Sequence, residues 1–170
     1  MLLLSFCLAL IMSATQVQQP SLLDSFRQKS AQECLSVDYE FATITSGLKT
    51  TGEGTVEIQG NSYHMCGNGI EIYCDGLTTW MIDDSTKEVF IEAADSQAAG
   101  YLANPVILLM NLEESSGSCK VDGNRIALEL AGGISMEIFV NGIETVPTKK
   151  TEAFRPPMKF DSTWIVTDLR

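Results

Sequence analysis

Residues 62–91 read SYHMCGNGIEIYCDGLTTWMIDDSTKEVFI, and this stretch decides the fold. Short runs that alternate apolar and polar residues are separated by GNG, DG and DDST. Alternation of this kind is typical of half-buried strands, and glycine and asparagine accept the positive φ of tight turns. Strands joined by such short turns predict an antiparallel β-meander.

The loop lengths that keep one face apolar predict the register of this meander. Loops at 66–69, 75–77 and 83–86 place Trp80 opposite Ile72 and gather the large apolar side chains on one wall. That wall would contain Tyr63, Met65, Ile70, Ile72, Trp80, Ile82, Val89 and Ile91. A two-residue hairpin at Asp75-Gly76 would instead turn Trp80 to the opposite face. We prefer the first register because it is consistent across three hairpins.

Further elements flank the meander on both sides. The segment 20–34 predicts a short amphipathic helix, and Asn104 and Pro105 suit the start of a second, very apolar helix at 106–113. Strands are predicted at 37–45, where Tyr39 and Phe41 share a side, and at 54–60, 119–130, 134–142 and 163–170. The predicted fold class is mainly β with two or more short helices (α+β). Its antiparallel sheet would curl into an unclosed barrel, or half-barrel, with the helices over its concave wall.

Length and charge restrict the function. A chain of 170 residues favours one domain, and the formal net charge of −11 argues against binding nucleic acid or docking on anionic membranes by charge alone. The apolar run from Leu2 to Met12 is too short to span a bilayer and has the length of a signal-peptide core. We expect a signal peptide at 1–14 and a single domain at 15–170. The alternatives are a buried N-terminal strand or helix, or a lipid anchor on Cys7.

Residues suited to catalysis are scarce. His64 is the only histidine and is predicted to face outward beside Glu71, while Cys34 is interpreted as a small buried residue. Beyond Cys7, four cysteines remain at 34, 66, 74 and 119, and they allow three full pairings. We therefore predict no catalytic residue and no metal site. The apolar wall is the notable feature, and the pattern alone fits both a packed core and a ligand cavity.

The ordered motifs GTVEIQG (54–60), YHM (63–65) and EIYCDGLTTWMI (71–82) resemble the periplasmic outer-membrane lipoprotein carriers, the LolA family, and are most similar to its Bacteroidetes-type group. Asp75, Gly76 and Trp80 stand at the family motif. The stretch NPVILLMN (104–111) is similar to the family's short lid helix, and VTDLR (166–170) to its ending. Two features depart from the family: the segment 59–62 lacks a lid-latching arginine, and the region from Cys119 onward is short.

The resemblance implies a periplasmic carrier that is not an enzyme and needs no cofactor. Its partners would be the acyl chains of lipoproteins or other lipids, an inner-membrane ATP-driven extractor and an outer-membrane acceptor, and we expect a monomer. The implied cavity wall is Tyr39, Phe41, Tyr63, Met65, Ile70, Ile72, Trp80, Ile82, Val89 and Ile91. The implied lid residues are Leu22, Leu23, Phe26, Val106, Leu109 and Met110. The alternatives are a periplasmic lipid- or lipoprotein-sensing regulator on the same half-barrel, a surface or adhesion domain with a filled core, and a secreted hydrolase.

Overall fold

The computed structural model describes residues 22–94, 118–130 and 133–170. Helix α1 (Leu22–Ser30) precedes ten strands that form one sheet. The strands are β1 (Cys34–Thr45), β2 (Leu48–Gln59), β3 (Ser62–Gly67), β4 (Ile70–Asp75), β5 (Thr78–Asp83), β6 (Glu88–Ala93), β7 (Ser118–Asp122), β8 (Arg125–Leu130), β9 (Ile134–Val146) and β10 (Ile165–Asp168).

The sheet is mainly antiparallel and is not closed. Its strand order is β10-β6-β5-β4-β3-β2-β1-β9-β8-β7, so β10 and β7 form its two edges. Every neighbouring pair is antiparallel except β10 and β6, which run parallel. The mainly β prediction is confirmed. The prediction that every strand is antiparallel is wrong at β10.

Helices contribute little to the described part of the chain. It contains α1 and a 3₁₀ turn at Thr151–Phe154, so the prediction of two or more helices is not confirmed there. The second helix predicted at 106–113 lies outside the described residues, as does the predicted signal peptide. None of the helices in the described ranges is long and apolar enough to cross a membrane.

Tight turns set the register of the meander. Asn68 and Gly69, with φ of 54° and 80°, form a two-residue turn, so Gly67 pairs with Ile70 and Met65 with Ile72. This is the type I′ geometry that Asn-Gly favours between twisted strands. The predicted four-residue loop at 66–69 was therefore too long. Its two-residue error preserved the faces, because side chains alternate with a period of two.

The next turn differs by one residue, and its consequence is larger. Asp75 ends β4, and its carboxylate accepts hydrogen bonds from the N–H groups of Leu77 (3.0 Å) and Thr78 (2.9 Å). Gly76, at φ 89°, takes the first position of a two-residue turn. Trp80 consequently pairs with Tyr73, and Met81 pairs with Ile72. The predicted three-residue loop at 75–77 was wrong, and a one-residue slip exchanges the two faces of a strand.

The two faces of the sheet carry separate apolar clusters. We call the face against which Phe26 of α1 packs the helix-side face. Its cluster extends over β1, β2, β3, β4, β5, β8 and β9. The opposite face is the tail-side face, because Phe160 and Trp164 of the tail, residues 147–170, pack against it. It carries a smaller cluster on β4, β5 and β6.

The tail crosses the tail-side face from β9 to β6. Gln59 exchanges two hydrogen bonds with the backbone of Lys149, at 3.0 Å and 2.8 Å, and the Lys149 ammonium pairs with Glu57. The 3₁₀ turn then lies against β3 and β4, where Phe154 is only 1% exposed. The tail ends as β10, in parallel register with β6.

Candidate functional site

The helix-side face brings together six of the ten predicted wall residues. These are Tyr39, Phe41, Tyr63, Met65, Ile70 and Ile72. Four of the six are at most 8% exposed, and Tyr63 and Ile70 are half-buried. They belong to one apolar cluster, in which Val56 and Ile58 of the intervening β2 join β1 to β3 and β4.

The other four predicted wall residues lie on the tail-side face. Trp80, Ile82, Val89 and Ile91 cluster with Tyr73, and Phe160 and Trp164 of the tail pack against them. The Phe160 and Trp164 rings meet edge to face at 5.2 Å, and the Lys87 ammonium lies 4.9 Å from the centre of the Trp164 ring. The single predicted wall is thus two clusters on opposite faces, and the tail covers the second one.

Sequence reasoning missed much of the helix-side face. Alternation in the segment 37–45 already placed Val37 beside Tyr39 and Phe41. The members that were missed are Leu35, Val56, Ile58, Met81, Ile126, Leu128, Met136, Ile138 and Val140. The alternation within the predicted strands was the available signal for most of them. Met81 was missed because the turn between β4 and β5 was predicted to contain three residues instead of two.

Of the predicted lid residues, the structure describes the position of one side chain. Phe26 is 7% exposed and packs into the helix-side cluster. Leu22 and Leu23 fall on α1, but their side chains lie outside the described part, as do Val106, Leu109 and Met110. The lid therefore remains a prediction.

Two aromatic side chains of the helix-side face lie over glycines of the neighbouring strand. Tyr39 pairs with Gly54 and Phe41 with Gly52. A Cβ built on Gly52 would approach the Phe41 ring to 2.6 Å, and one on Gly54 would approach the Tyr39 hydroxyl to 2.9 Å. Burial, reinforced by the nearby Cys66, raises the pKa of Tyr39 to about 12. The phenol is therefore neutral at ordinary pH and forms part of an apolar wall.

Two adjoining pockets are lined by described residues of β1, β2, β3 and β9 and by Asn68 of the turn after β3. Their volumes are about 480 Å³ and 420 Å³, and they share Glu40, Glu53 and Asn68. Glu40 and Glu53 are directly opposed across β1 and β2. Asn141 donates a 3.0 Å hydrogen bond to Glu40. Besides these polar groups, the linings include Phe41 and Phe139 in the first pocket and Tyr39 in the second, so the character of both pockets is mixed.

Asp75 is part of the motif that carries the family resemblance, and in the structure it has a structural role. Its side chain is 5% exposed, and it accepts a 2.7 Å hydrogen bond from Nε of Arg155 in the tail. Burial opposes ionisation of this carboxyl. The Thr78 and Leu77 N–H groups and the Arg155 guanidinium outweigh that effect and hold its pKa below the ordinary value of 3.8. Asp75 thus fixes a turn and fastens the tail.

The polar residues considered for chemistry are arranged as follows. His64 stacks on Tyr73 with ring centres 4.2 Å apart, and its Nε2 lies 3.5 Å from a carboxylate oxygen of Glu71. Cys34 and Cys74 are buried and Cys66 and Cys119 exposed, all four as free thiols. Burial raises the pKa of the Cys34 thiol, which disfavours the nucleophilic thiolate. The described ranges contain no group of His, Cys, Asp and Glu side chains that could hold a metal ion.

Comparison with known proteins adds no identification. No protein-family profile matches the chain. No curated protein matches it either. The similarity to lipoprotein carriers therefore rests on the residues quoted from the sequence.

Proposed function

We propose that this protein is a periplasmic carrier that binds the acyl chains of lipoproteins or other lipids and moves them toward the outer membrane. The observation that supports this most directly is the helix-side face, a continuous apolar surface across seven strands of an unclosed sheet. The proposed architecture is a half-barrel in which helices close over that face. An inner-membrane ATP-driven extractor and an outer-membrane acceptor are the proposed partners.

The composition of the face suits chains of varying shape. Met65, Met81 and Met136 are distributed over three strands of the helix-side cluster. Methionine side chains are unbranched and polarizable, so they adapt to irregular apolar ligands. Tyr63 and Ile70 are half-buried, so they would contact cargo with less loss of existing packing than fully buried residues.

The energetics of carriage are adequate. Burial of acyl chain contributes about 0.8 kcal/mol per CH₂, so ten methylenes give a gross term of about 8 kcal/mol before association costs. Release requires a competitor for the same apolar area. Phe26 occupies that area in the structure, and we propose that α1 yields it to cargo and recovers it on release.

The test exploits the difference between the two faces. Met81→Gln places a polar group on the helix-side face at a half-buried position, and Ile44→Gln is the matched control on the tail-side face, where Ile44 is 43% exposed. Each protein is purified natively from periplasm, and bound lipid is quantified by mass spectrometry. We expect lipid in the parent and the control and a severalfold loss in Met81→Gln.

Two results would contradict the proposal. The first is a parent protein that carries no lipid above the background of an unrelated periplasmic protein. The second is equal lipid in parent and Met81→Gln. Lipid binding together with a stable protein partner, rather than transient ones, would favour the lipid-sensing regulator over the carrier.

A further inference from the structure

One polar side chain is buried at the end of the helix-side face. Thr43 of β1 is 7% exposed and continues the alternation of Tyr39 and Phe41 on that face. Its cross-strand neighbours are Thr50 on β2 and Met136 on β9. Met136 is itself 1% exposed, so Thr43 borders the apolar cluster.

Among the residues that the structure describes, the Thr43 hydroxyl has no hydrogen-bond partner. An orphaned buried hydroxyl is costly, and native proteins retain few of them without a reason. A valine has nearly the same shape and would remove that cost. The retention of an oxygen at this position is explained if a ligand supplies the missing partner.

We infer that Thr43 is a polar anchor in the acyl-chain site, where its hydroxyl donates a hydrogen bond to the ester or amide carbonyl of a bound acyl group. This inference rests on the proposed carrier function. The carbonyl is the first polar atom along an acyl chain, and it is an acceptor that an otherwise apolar wall leaves without a donor. Thr43 would therefore set how deeply the chain enters and would discriminate acyl lipids from alkyl lipids.

The experiment uses two lipids that differ only in the carbonyl, and one acylated peptide. Palmitoyl-lysophosphatidylcholine contains an ester carbonyl, and 1-O-hexadecyl-lysophosphatidylcholine replaces that ester with an ether. An N-palmitoyl peptide supplies an amide carbonyl, as in a lipoprotein. Affinities are measured by displacement of an apolar fluorescent dye from the parent protein and from Thr43→Val and Thr43→Ser.

We expect Thr43→Val to weaken acyl binding by about two- to tenfold, the range of one neutral hydrogen bond, and to leave the ether lipid unchanged. Thr43→Ser should retain the parent's preference. The carbonyl ligand that loses more affinity, ester or amide, identifies whether free lipids or lipoproteins use the anchor. Equal loss for the acyl and ether ligands, or no loss for either, overturns the anchor while leaving carriage intact.

If the carrier proposal itself is wrong, the result differs, because none of the three ligands then displaces the dye from the parent protein. That result would also refute the role of Thr43 as an anchor. A second measurement needs no ligand. Removal of an orphaned hydroxyl should raise or leave unchanged the urea midpoint of the lipid-free protein. A lower midpoint for Thr43→Val would mean that the hydroxyl has an internal partner, which also overturns the inference.

Discussion

The pair formed by Asp75 and Arg155 gives a prediction that separates tail docking from the fold of the sheet. Asp75→Asn keeps an oxygen for the turn N–H groups but removes the charge and sets an amide against the guanidinium. Arg155→Ala leaves the buried carboxylate without its counter-ion. Each change should lower the free energy of unfolding, and the double variant should cost little more than Asp75→Asn alone.

The magnitude follows from the burial of the two side chains. Asp75 is 5% exposed, but Arg155 is 50% exposed, so the solvent screens part of the interaction. A hydrogen bond to a charged group contributes about 1.5 to 3 kcal/mol, and screening places the expected coupling near the lower end, at about 1 to 2 kcal/mol. We expect single costs of about 2 kcal/mol for Asp75→Asn and about 1 to 2 kcal/mol for Arg155→Ala.

Tryptophan fluorescence during urea unfolding is the appropriate assay. The chain has two tryptophans, Trp80 and Trp164, and both belong to the tail-side cluster. Their emission therefore reports tail docking, while far-UV circular dichroism reports the sheet. In the variants the fluorescence transition should move to lower urea and precede the dichroism transition. Additive single costs, with coupling below about 0.5 kcal/mol, would refute the reasoning.

Three further predictions concern the same features. Because folding lowers the pKa of Asp75, its carboxylate stabilises the fold above the unfolded pKa of 3.8, and this stabilisation is lost as pH falls through the folded pKa. Below pH 4 the urea midpoint of the parent should therefore fall more steeply than that of Asp75→Asn. Parallel pH profiles of the two proteins would contradict this prediction. Gly52→Ala should lower the free energy of unfolding by about 1 to 3 kcal/mol, since its Cβ would lie 2.6 Å from the Phe41 ring. The control Gly142→Ala, with nothing within 4 Å of its Cβ, should be neutral or stabilising in the same denaturation series. Phe26→Ala should cost about 3 kcal/mol and, if α1 competes with cargo, tighten dye binding; unchanged dye affinity would exclude that competition.

Local sequence patterns predicted most strands of the sheet because the determinants are local. Alternation and turn residues identified the strand-forming segments from β1 to β10, with 119–130 covering both β7 and β8, and the Asn68-Gly69 turn is a strong hairpin signal. Loop length was predicted less well, because Cys66 and Gly67 can serve either as loop or as strand. That error moved the register by two residues and left the faces of β3 and β4 correct.

Long-range features were beyond prediction from local patterns. The parallel pairing of β10 with β6 joins residues more than 70 positions apart and depends on where the tail crosses the sheet. Phe160 and Trp164 do not alternate in a strand, and only the folded tail brings them onto Trp80. The prediction that the side chains share one face is therefore confirmed where it depended on alternation within β1, β3 and β4. It was wrong where it depended on the number of residues in one turn.

That turn links the motif, the tail and the two faces. The Asp75 carboxylate binds the N–H groups of the turn, which makes the turn two residues long and directs Trp80 to the tail-side face. The same carboxylate binds Arg155, which holds the tail near the surface where Trp80 needs cover. Asp75, Gly76 and Trp80 therefore act in this chain as one structural unit. Under the proposed carrier function, they would close the tail-side face and leave the helix-side face as the binding surface.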